Sequence, residues 1–271
     1  MPGNLDRLEG AVRVVLCTRG GLPGARVLER LLASPNAEVA GIVLSTRVDG
    51  PRRGWLAGAI RRVHKSGLAY GAYLWASTAG ADLAALGRNP ASVRSRAARA
   101  GIPLHATRQI GDDAGRAFIA ACRPDVLASA FFDQHVDERT RAIAPRGAVN
   151  IHPSVLPDFR GVDPVFHALL RGAQMLGVTV HRMVDAWDAG PILASEASAP
   201  IPGESVLGAT ARLYERGAVM LAEGLPRIAA GDPGSAQGGE GCYDSWPGRA
   251  DVTALSRRRI ALVRVDDLLK R

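Results

Sequence analysis

Lysine and cysteine are scarce in this 271-residue chain, and long apolar runs are missing. Only Lys65 and Lys270 are lysines among the 34 basic residues. The three cysteines, Cys17, Cys122 and Cys242, are odd in number and far apart, which excludes a disulfide framework and offers no C-x-x-C pair for zinc. No stretch reaches about 18 uninterrupted apolar residues, so we expect no spanning helix. The amino terminus lacks the apolar core of a signal peptide, so we expect a cytoplasmic protein.

The net charge of +8 first indicates a nucleic-acid or membrane-surface protein. The positive charges are nearly all arginines, however, and they are scattered along the chain beside alanine and glycine. A general codon bias toward arginine produces this pattern, so we expect no nucleic-acid partner. A hydrophobic fraction of 47% and a charged fraction of 22% are typical of a globular protein and exclude a disordered chain.

The beginning of the chain has the pattern of a βαβ unit. A β-branched run over residues 11–17 is followed by Gly20, Gly21 and Gly24, then by a helical stretch to about Leu32 and a second apolar run over 39–45. Strand, glycine turn, helix and strand predict an α/β fold with a mostly parallel twisted sheet and helices on both faces. The glycine spacing departs from G-x-G-x-x-G, which disfavours a dinucleotide site and leaves a tight turn as the simpler explanation.

Residues 50–100 interrupt this alternation. The segment 52–75 begins with Arg52 and Arg53, continues with Arg61, Arg62 and Lys65, and ends in closely spaced aromatic residues. An amphipathic helix at a membrane surface is one interpretation. We favour the other, a helical insertion that packs on the domain or forms a dimer contact.

The residues from 147 to 193 carry the chemistry. Asn150 and His152 alternate along a predicted strand, so their side chains share one face, and Pro153 ends the strand. An open α/β sheet binds its ligands at such a carboxyl end. The amide of Asn150 and the imidazole of His152 are suited to a carbonyl oxygen that gains negative charge, and Asp188 is suited to hold the imidazole protonated or to accept a proton. Asn, His and Asp without a Ser or Cys nucleophile indicate direct acyl transfer to an external nucleophile.

Two other chemistries are less well supported. His152 with His167 or His181 would make a metal site, but neither pair has the usual ligand spacing, so we expect no metal. Ser154 would make a nucleophile, but no G-x-S-x-G elbow surrounds it.

The same residues resemble a known family. Residues 150–157 (Asn-Ile-His-Pro-Ser-Val-Leu-Pro), the pair Arg160-Gly161 and residues 188–192 (Asp-Ala-Gly-Pro-Ile) are similar to the formyltransferases that use 10-formyltetrahydrofolate. Glycinamide ribonucleotide, methionyl-tRNA and amino-sugar formyltransferases belong to this family. The resemblance implies a Rossmann-like fold and a catalytic domain over residues 1–230, followed by a linker and short C-terminal tail over residues 231–271.

The resemblance also implies roles for individual residues. The catalytic positions are Asn150, His152 and Asp188. The folate donor lies between the loops at 131–136 and 184–188, whose backbone groups pair with the pterin ring. The implied donor contacts are Phe131, Phe132, Asp133, Gln134, His135, Val136, Val184, Ala186 and Trp187. Candidate acceptor contacts are Ser154, Arg160, Gly161, Thr179 and His181.

Departures from the family pattern narrow the acceptor. The phosphate-binding turn of the ribonucleotide enzymes is replaced by Thr18-Arg-Gly-Gly-Leu-Pro, and only 40 residues follow Gly231, too few for the barrel of the tRNA enzymes. We therefore expect a small-molecule amine as acceptor: an amino sugar, an amino acid or an intermediate of a specialised pathway. Whether the chain forms a homodimer is left open by the sequence.

Two other functions are alternatives to formyl transfer. One is a 10-formyltetrahydrofolate hydrolase, and the other is a catalytically idle binding module that uses the basic 52–75 segment.

Overall fold

A seven-stranded sheet forms the centre of the protein. The computed structural model describes residues 10–47, 55–80 and 91–269, and its sheet has the strand order β3-β2-β1-β4-β5-β7-β8. The first five strands run parallel, β7 is antiparallel to β5, and β8 is antiparallel to β7. The strands are β1 Val12–Thr18, β2 Ala37–Ser45, β3 Leu104–Thr107, β4 Val126–Ala130, β5 Ala148–His152, β7 Leu176–Arg182 and β8 Ile192–Ser198. Two short strands, β6 Arg160–Gly161 and β9 Tyr243–Asp244, form a separate parallel pair.

Both faces of this sheet are covered. Along β1, Val14 and Leu16 belong to one apolar core, whereas Val15 and Cys17 belong to a second core on the opposite face. Successive side chains of a strand point to opposite faces, and a continuous apolar run is buried only when helices lie on both sides. The mostly parallel α/β sheet predicted from the sequence is therefore confirmed.

The helices start where the sequence offers caps. Ser205 accepts a hydrogen bond from the Gly208 backbone at 2.9 Å at the start of the longest helix, and Asp112 does the same for Gly115 at 2.7 Å. The helices are α1 Gly21–Leu32, α2 Trp55–Ser66, α3 Leu68–Trp75, α4 Val93–Arg99, α5 Asp113–Cys122, α6 Glu138–Arg141, α7 Pro164–Arg171, α8 Val206–Ala229, α9 Arg249–Arg257 and α10 Val265–Leu269.

A close backbone approach explains the glycine turn after β1. Gly21 has a φ of +61°, and a Cβ there would lie 1.7 Å from the carbonyl oxygen of Ser77. Ser77 belongs to a π-helical turn, Ala76–Gly80, that follows α3. Only glycine permits this contact, which brings the 50–100 segment against the turn.

The described part of the 50–100 segment is helical, as predicted. Tyr70 and Tyr73 of α3 are buried, and the Tyr70 ring packs edge-on against Phe166 with the centroids 5.8 Å apart. The guanidinium of Arg62 lies 3.5 Å from the centroid of the Trp246 ring. Arg52 and Arg53 fall outside the described residues. The contacts of these inward-facing side chains favour an insertion packed on the domain. Among the described residues, no helix is both long and apolar enough to cross a membrane.

The segment after residue 230 packs on the rest of the chain. Leu255 is 1% exposed and belongs to the main core, and the backbone N–H groups of Val206 and Leu207 donate to the carbonyls of Ala261 and Leu262. A domain boundary at residue 230 stays a prediction.

Candidate active site

A cavity of about 360 Å³ opens at the carboxyl ends of the central strands. Ser129 on β4 and Asn150 and His152 on β5 form its floor, and the loops after β4 and β7 and the tail near β9 form its walls. Parallel strands end at the same edge of a sheet, which is where an α/β fold gathers ligand-binding side chains. The cavity therefore lies at the edge of the sheet where β4 and β5 end.

Asn150 is held by a neutral histidine. The two strands pair Asn150 with His181, and their side chains meet with Nδ2 and Nε2 3.1 Å apart. The His181 Nδ1–H donates to the carbonyl of Arg182 at 2.9 Å, so Nε2 is left to accept from the Asn150 amide. Burial lowers the pKa of His181 to about 4, although the nearby Asp188 opposes this shift. His181 is thus uncharged at neutral pH and fixes the orientation of the amide.

His152 lies between a backbone carbonyl and a carboxylate. It is 4% exposed, and its Nε2–H donates to the carbonyl of Phe159 at 2.9 Å. The other ring nitrogen, Nδ1, faces Asp188 Oδ1 at 3.5 Å. Both ring nitrogens therefore have an oxygen partner.

Asp188 joins the two strand residues. One carboxylate oxygen accepts a hydrogen bond from the Gly161 backbone N–H at 2.9 Å, and the other receives a long contact of 3.4 Å from Asn150 Nδ2. The residue has a φ of +52°, a left-handed conformation that is uncommon outside glycine and that turns the side chain inward. Asn150, His152 and Asp188 therefore meet at one point of the cavity.

The Asp188 loop is fixed from outside by Gln237. Its amide NH₂ donates to the carbonyls of Asp188 at 2.9 Å and Gly190 at 2.7 Å, and its carbonyl oxygen accepts from Arg160 at 2.6 Å. Gln237 lies in the glycine-rich stretch that the sequence suggests is a linker. No short-range pattern pointed to it, because its partners are 47 to 77 residues away.

The loop at 131–136 lines the cavity, but its polar side chains serve different purposes. Asp133 accepts from Ser45 Oγ at 2.5 Å and pairs with Arg19 at 3.4 Å. The Gln134 side chain is buried and bonds to the Ile110 backbone at 2.7 Å, so it anchors the loop. His135 Nε2 meets the Asp185 carbonyl at 3.1 Å. All nine predicted donor contacts border the cavity: Phe131, Phe132, Asp133, Gln134, His135, Val136, Val184, Ala186 and Trp187.

The structure brings only two of the five candidate acceptor residues, Gly161 and His181, to the cavity. Ser154 donates to the Asp158 carbonyl at 2.7 Å, and Thr179 donates to the Ser154 carbonyl at the same distance, so both hydroxyls stabilise the loop after β5. Arg160 extends toward Gln237, as described above.

Several cavity residues were not among the predicted site residues, although some lie in the 50–100 insertion and the tail. They are Tyr70, Tyr73, Asp163, Tyr214 and Trp246. The three-residue spacing of the two tyrosines on a helix was the available signal that they share a face. Within the described residues, no group of three or more His, Cys, Asp or Glu side chains is arranged to hold a metal ion.

Comparison with known families identifies this architecture. The formyl transferase family model matches residues 76–225, which include all three converging residues and the loop at 131–136. The chain belongs to the formyl transferase family. This is a family of formyl-transferring enzymes whose donor is 10-formyltetrahydrofolate.

Relatives and solved structures agree with this membership. Methionyl-tRNA formyltransferase of Roseiflexus castenholzii is 40% identical over 140 residues, which make up 51% of this chain and 44% of that protein. The chain thus matches less than half the length of that relative. Glycinamide ribonucleotide transformylase 1 of Symbiobacterium toebii has a similar fold, with a TM-score of 0.55, 21% identity, and coverage of 84% of this chain and 92% of that one. A sugar N-formyltransferase from Shewanella sp FDAARGOS_354 also has a similar fold, with a TM-score of 0.54 and 15% sequence identity. The alignment covers 86% of this chain and 76% of that one.

Proposed function

We propose that this protein is an N-formyltransferase that moves a formyl group from 10-formyltetrahydrofolate to the amine of a small-molecule acceptor. The observation that carries the proposal is the meeting of Asn150, His152 and Asp188 at one point of a cavity. Contacts of 3.4 and 3.5 Å connect the Asp188 carboxylate to the amide and to the imidazole. Three such groups suffice for acyl transfer without a covalent enzyme intermediate.

The loops at 131–136 and 184–188 suit a flat, polar donor. They border one side of the cavity, and His135 connects them through its contact with the Asp185 carbonyl and an edge-on contact with Trp187 at 5.3 Å. Backbone N–H and C=O groups in two facing loops match the donors and acceptors of a pterin ring. When bound there, 10-formyltetrahydrofolate supplies the formyl group.

The roles of the three residues follow from their contacts. The long 3.4 Å contact from Asn150 to Asp188 leaves one amide proton weakly held, and this proton is available to the oxygen of the formyl group. His152 Nδ1 stabilises the same developing negative charge. Asp188 faces the imidazole and assists removal of the proton that the attacking amine loses. A proton would be delivered to the folate nitrogen as its bond to the formyl carbon breaks. Each well-placed donor to the developing oxyanion contributes about 2.7–4 kcal/mol to catalysis.

The remainder of the cavity supports a small acceptor. Its lining includes Tyr70 and Tyr73 of the insertion and Tyr243 and Trp246 of the tail. Aromatic walls of this kind bind small molecules by covering most of their surface. The acceptor amine lies next to His152 in this proposal.

The catalytic proposal is tested by Asp188→Asn. The asparagine amide keeps the shape of the carboxylate and one of its acceptor oxygens. It has no negative charge and does not accept the proton of the attacking amine, so we expect turnover to fall about 10²–10⁴-fold. Formyl transfer from 10-formyltetrahydrofolate to a panel of amines is measured together with the melting temperature. Asp113→Asn is the matched control, because that carboxylate is fully exposed on α5.

Other outcomes would redirect the proposal. Formate release that no amine accelerates would favour a hydrolase, and turnover with charged initiator tRNA alone would exclude the small acceptor. An Asp188→Asn variant with wild-type turnover, or a protein that neither binds folate nor transfers formyl, would remove the proposal altogether.

A further inference from the structure

A second carboxylate, Asp163, lies in the acceptor part of the cavity. Asp163 directly precedes α7 and has a φ of +52°. Its side chain is enclosed by neighbouring residues yet borders the cavity. None of the steps assigned to Asn150, His152 and Asp188 uses it.

The groups that hold Asp163 are neutral donors. Tyr70 donates its hydroxyl to Oδ2 at 2.8 Å, and Tyr73 donates to Oδ1 at 3.2 Å. The two tyrosine rings pack against each other, with their centroids 5.3 Å apart. One helix, α3, thus supplies a donor to each oxygen of the carboxylate. The imidazole of His167 also acts electrostatically on the carboxylate, and its Nε2 is engaged by the Ser245 carbonyl at 2.9 Å.

Such a carboxylate is costly to keep charged. Burial raises the pKa of Asp163, and the hydrogen bond from Tyr70, the His167 imidazole and the hydrogen bond from Tyr73 only partly oppose that shift. Asp188, by contrast, faces the imidazole of His152. A positively charged group placed beside Asp163 would recover the electrostatic energy that the neutral donors do not supply.

Asp163 and Asp188 belong to the same chamber. Both carboxylates act electrostatically on the hydroxyl of Tyr214, which also borders the cavity. Asp163 and Gly161 are two residues apart, and the Gly161 backbone holds Asp188. A small molecule bound in this cavity would therefore lie near both carboxylates.

The two ends of that molecule must differ in charge. The amine that attacks the formyl carbon must be uncharged, and contact with Asp163 would keep an amine protonated. The group at Asp163 is therefore not the reacting one. Aromatic rings next to a carboxylate, here those of Tyr70 and Tyr73, form an environment that favours ammonium ions.

We propose that Asp163, with Tyr70 and Tyr73, binds a second, cationic nitrogen of the acceptor, so that the substrate is a molecule with two amines. One amine reacts beside His152 while the other stays an ammonium ion at Asp163. A diamine or a basic amino acid has this chemistry. The proposal rests on the proposed formyl transfer and specifies its acceptor class.

The test uses α,ω-diamines of three to six carbons, each compared with the amino alcohol of the same length. For the best-fitting length, we expect wild-type kcat/KM to favour the diamine by at least about tenfold. In Asp163→Asn this ratio should fall to near one, whereas the exposed control Asp113→Asn should keep the wild-type ratio. Calorimetric titration of the same diamines and amino alcohols into the full-length protein measures the preference without turnover. Tyr73→Phe, which removes one donor, should give an intermediate ratio.

The outcomes keep the two proposals apart. Formyl transfer with equal ratios in wild type and Asp163→Asn would overturn the diamine inference and leave formyl transfer intact. Absence of diamine binding at every length would overturn the inference as well. Failure to bind folate or to transfer formyl to any amine would instead overturn the proposed function. A melting temperature measured for every variant shows whether a lost ratio reflects a lost fold.

Discussion

His152 and His181 both approach the Asp188 carboxylate, with nitrogen–oxygen distances of 3.5 and 3.8 Å, but their surroundings differ. His181 gives its Nδ1–H to a backbone carbonyl and accepts from Asn150, an arrangement that requires the neutral ring. His152 keeps one nitrogen facing the carboxylate. Two histidines beside one aspartate thus have different contacts: His181 orients the Asn150 amide, and His152 faces the Asp188 carboxylate.

The neutral state of His181 predicts a loss of stability in acid. Its pKa is about 4 in the folded protein and about 6.5 in an unfolded chain, so only the unfolded state gains a proton as the pH falls from 6.5 toward 4. The contribution is fully present above pH 6.5 and reduces the unfolding free energy by about 2 kcal/mol at pH 5. Urea unfolding at pH 7 and pH 5 measures it.

The matched variants for this experiment are His181→Gln and His64→Gln. Glutamine at position 181 still accepts a hydrogen bond but does not titrate. Between pH 7 and pH 5 the unfolding free energy of that variant should therefore fall by about 2 kcal/mol less than that of wild type. His64 is exposed on α2, and its replacement should leave the pH dependence unchanged. Equal pH dependence in all three proteins would contradict the assignment of a neutral His181.

At the residue level, the sequence was informative where chemistry and local geometry coincide. Asn150 and His152 alternate on a strand that ends at Pro153, and this pattern places both side chains at the cavity. The cradle of Asp163 was not predictable in this way. It needs α3 to dock on α7 across about 90 residues of chain, and no local pattern specifies that contact.

At the level of elements, the loop that carries Asp188 is held by a segment without regular structure. Gln237 donates to the Asp188 and Gly190 carbonyls and accepts from Arg160, so it connects the strand β6 to the loop after β7. Its amide supplies both donors and an acceptor at once, which no charged side chain of this length does.

Substitutions of Gln237 should therefore affect turnover through the position of Asp188. In Gln237→Ala the side-chain hydrogen bonds to Arg160, Asp188 and Gly190 are all lost, and we expect kcat to fall about tenfold, in line with the cost of small misplacements in an active site. Gln237→Glu keeps the acceptor for Arg160 but no longer donates to the two carbonyls, so it should behave like alanine. Steady-state kinetics and folate affinity are measured together, and the affinity should change little.

Gln174→Ala is the control for this pair, because Gln174 is exposed and its amide bonds only to the nearby Gly172 carbonyl. A wild-type kcat in Gln237→Glu would contradict this prediction. It would show that the hydrogen bond to Arg160, and not the two bonds to the Asp188 loop, fixes the position of Asp188.

A strand or helix was predictable from the sequence when its own residues determine its conformation. The β-branched and apolar runs of β1, β2 and β4 are buried on both faces, and their sequences show it. The edge strand β8, Ile-Leu-Ala-Ser-Glu-Ala-Ser, is half exposed and has little β-branched character. Its conformation comes from antiparallel pairing with β7, a tertiary influence that outweighs intrinsic preference.

At the scale of the whole molecule, the C-terminal segment contributes to the same cavity as the central sheet. Tyr243 and Trp246 border it, β9 pairs with β6, and Arg62 of the insertion stacks on Trp246. The excess of positive charge that first indicated nucleic acid is partly used inside the fold, since the Arg62 and Arg160 side chains contact neutral partners of the tail and the linker. The insertion and the tail thus contact each other at the wall of one cavity.

This arrangement predicts that the tail unfolds together with the sheet. Leu255 of α9 is 1% exposed within the main core, so Leu255→Ala should lower the unfolding free energy by about 2–5 kcal/mol and shift one cooperative transition downward. Leu68→Ala, at a leucine that is 79% exposed, should stay within about 0.5 kcal/mol of wild type. Calorimetry and far-ultraviolet circular dichroism follow both variants. A separate early transition in Leu255→Ala, with the main transition unmoved, would instead assign the tail to an independent unit and support a domain boundary near residue 230.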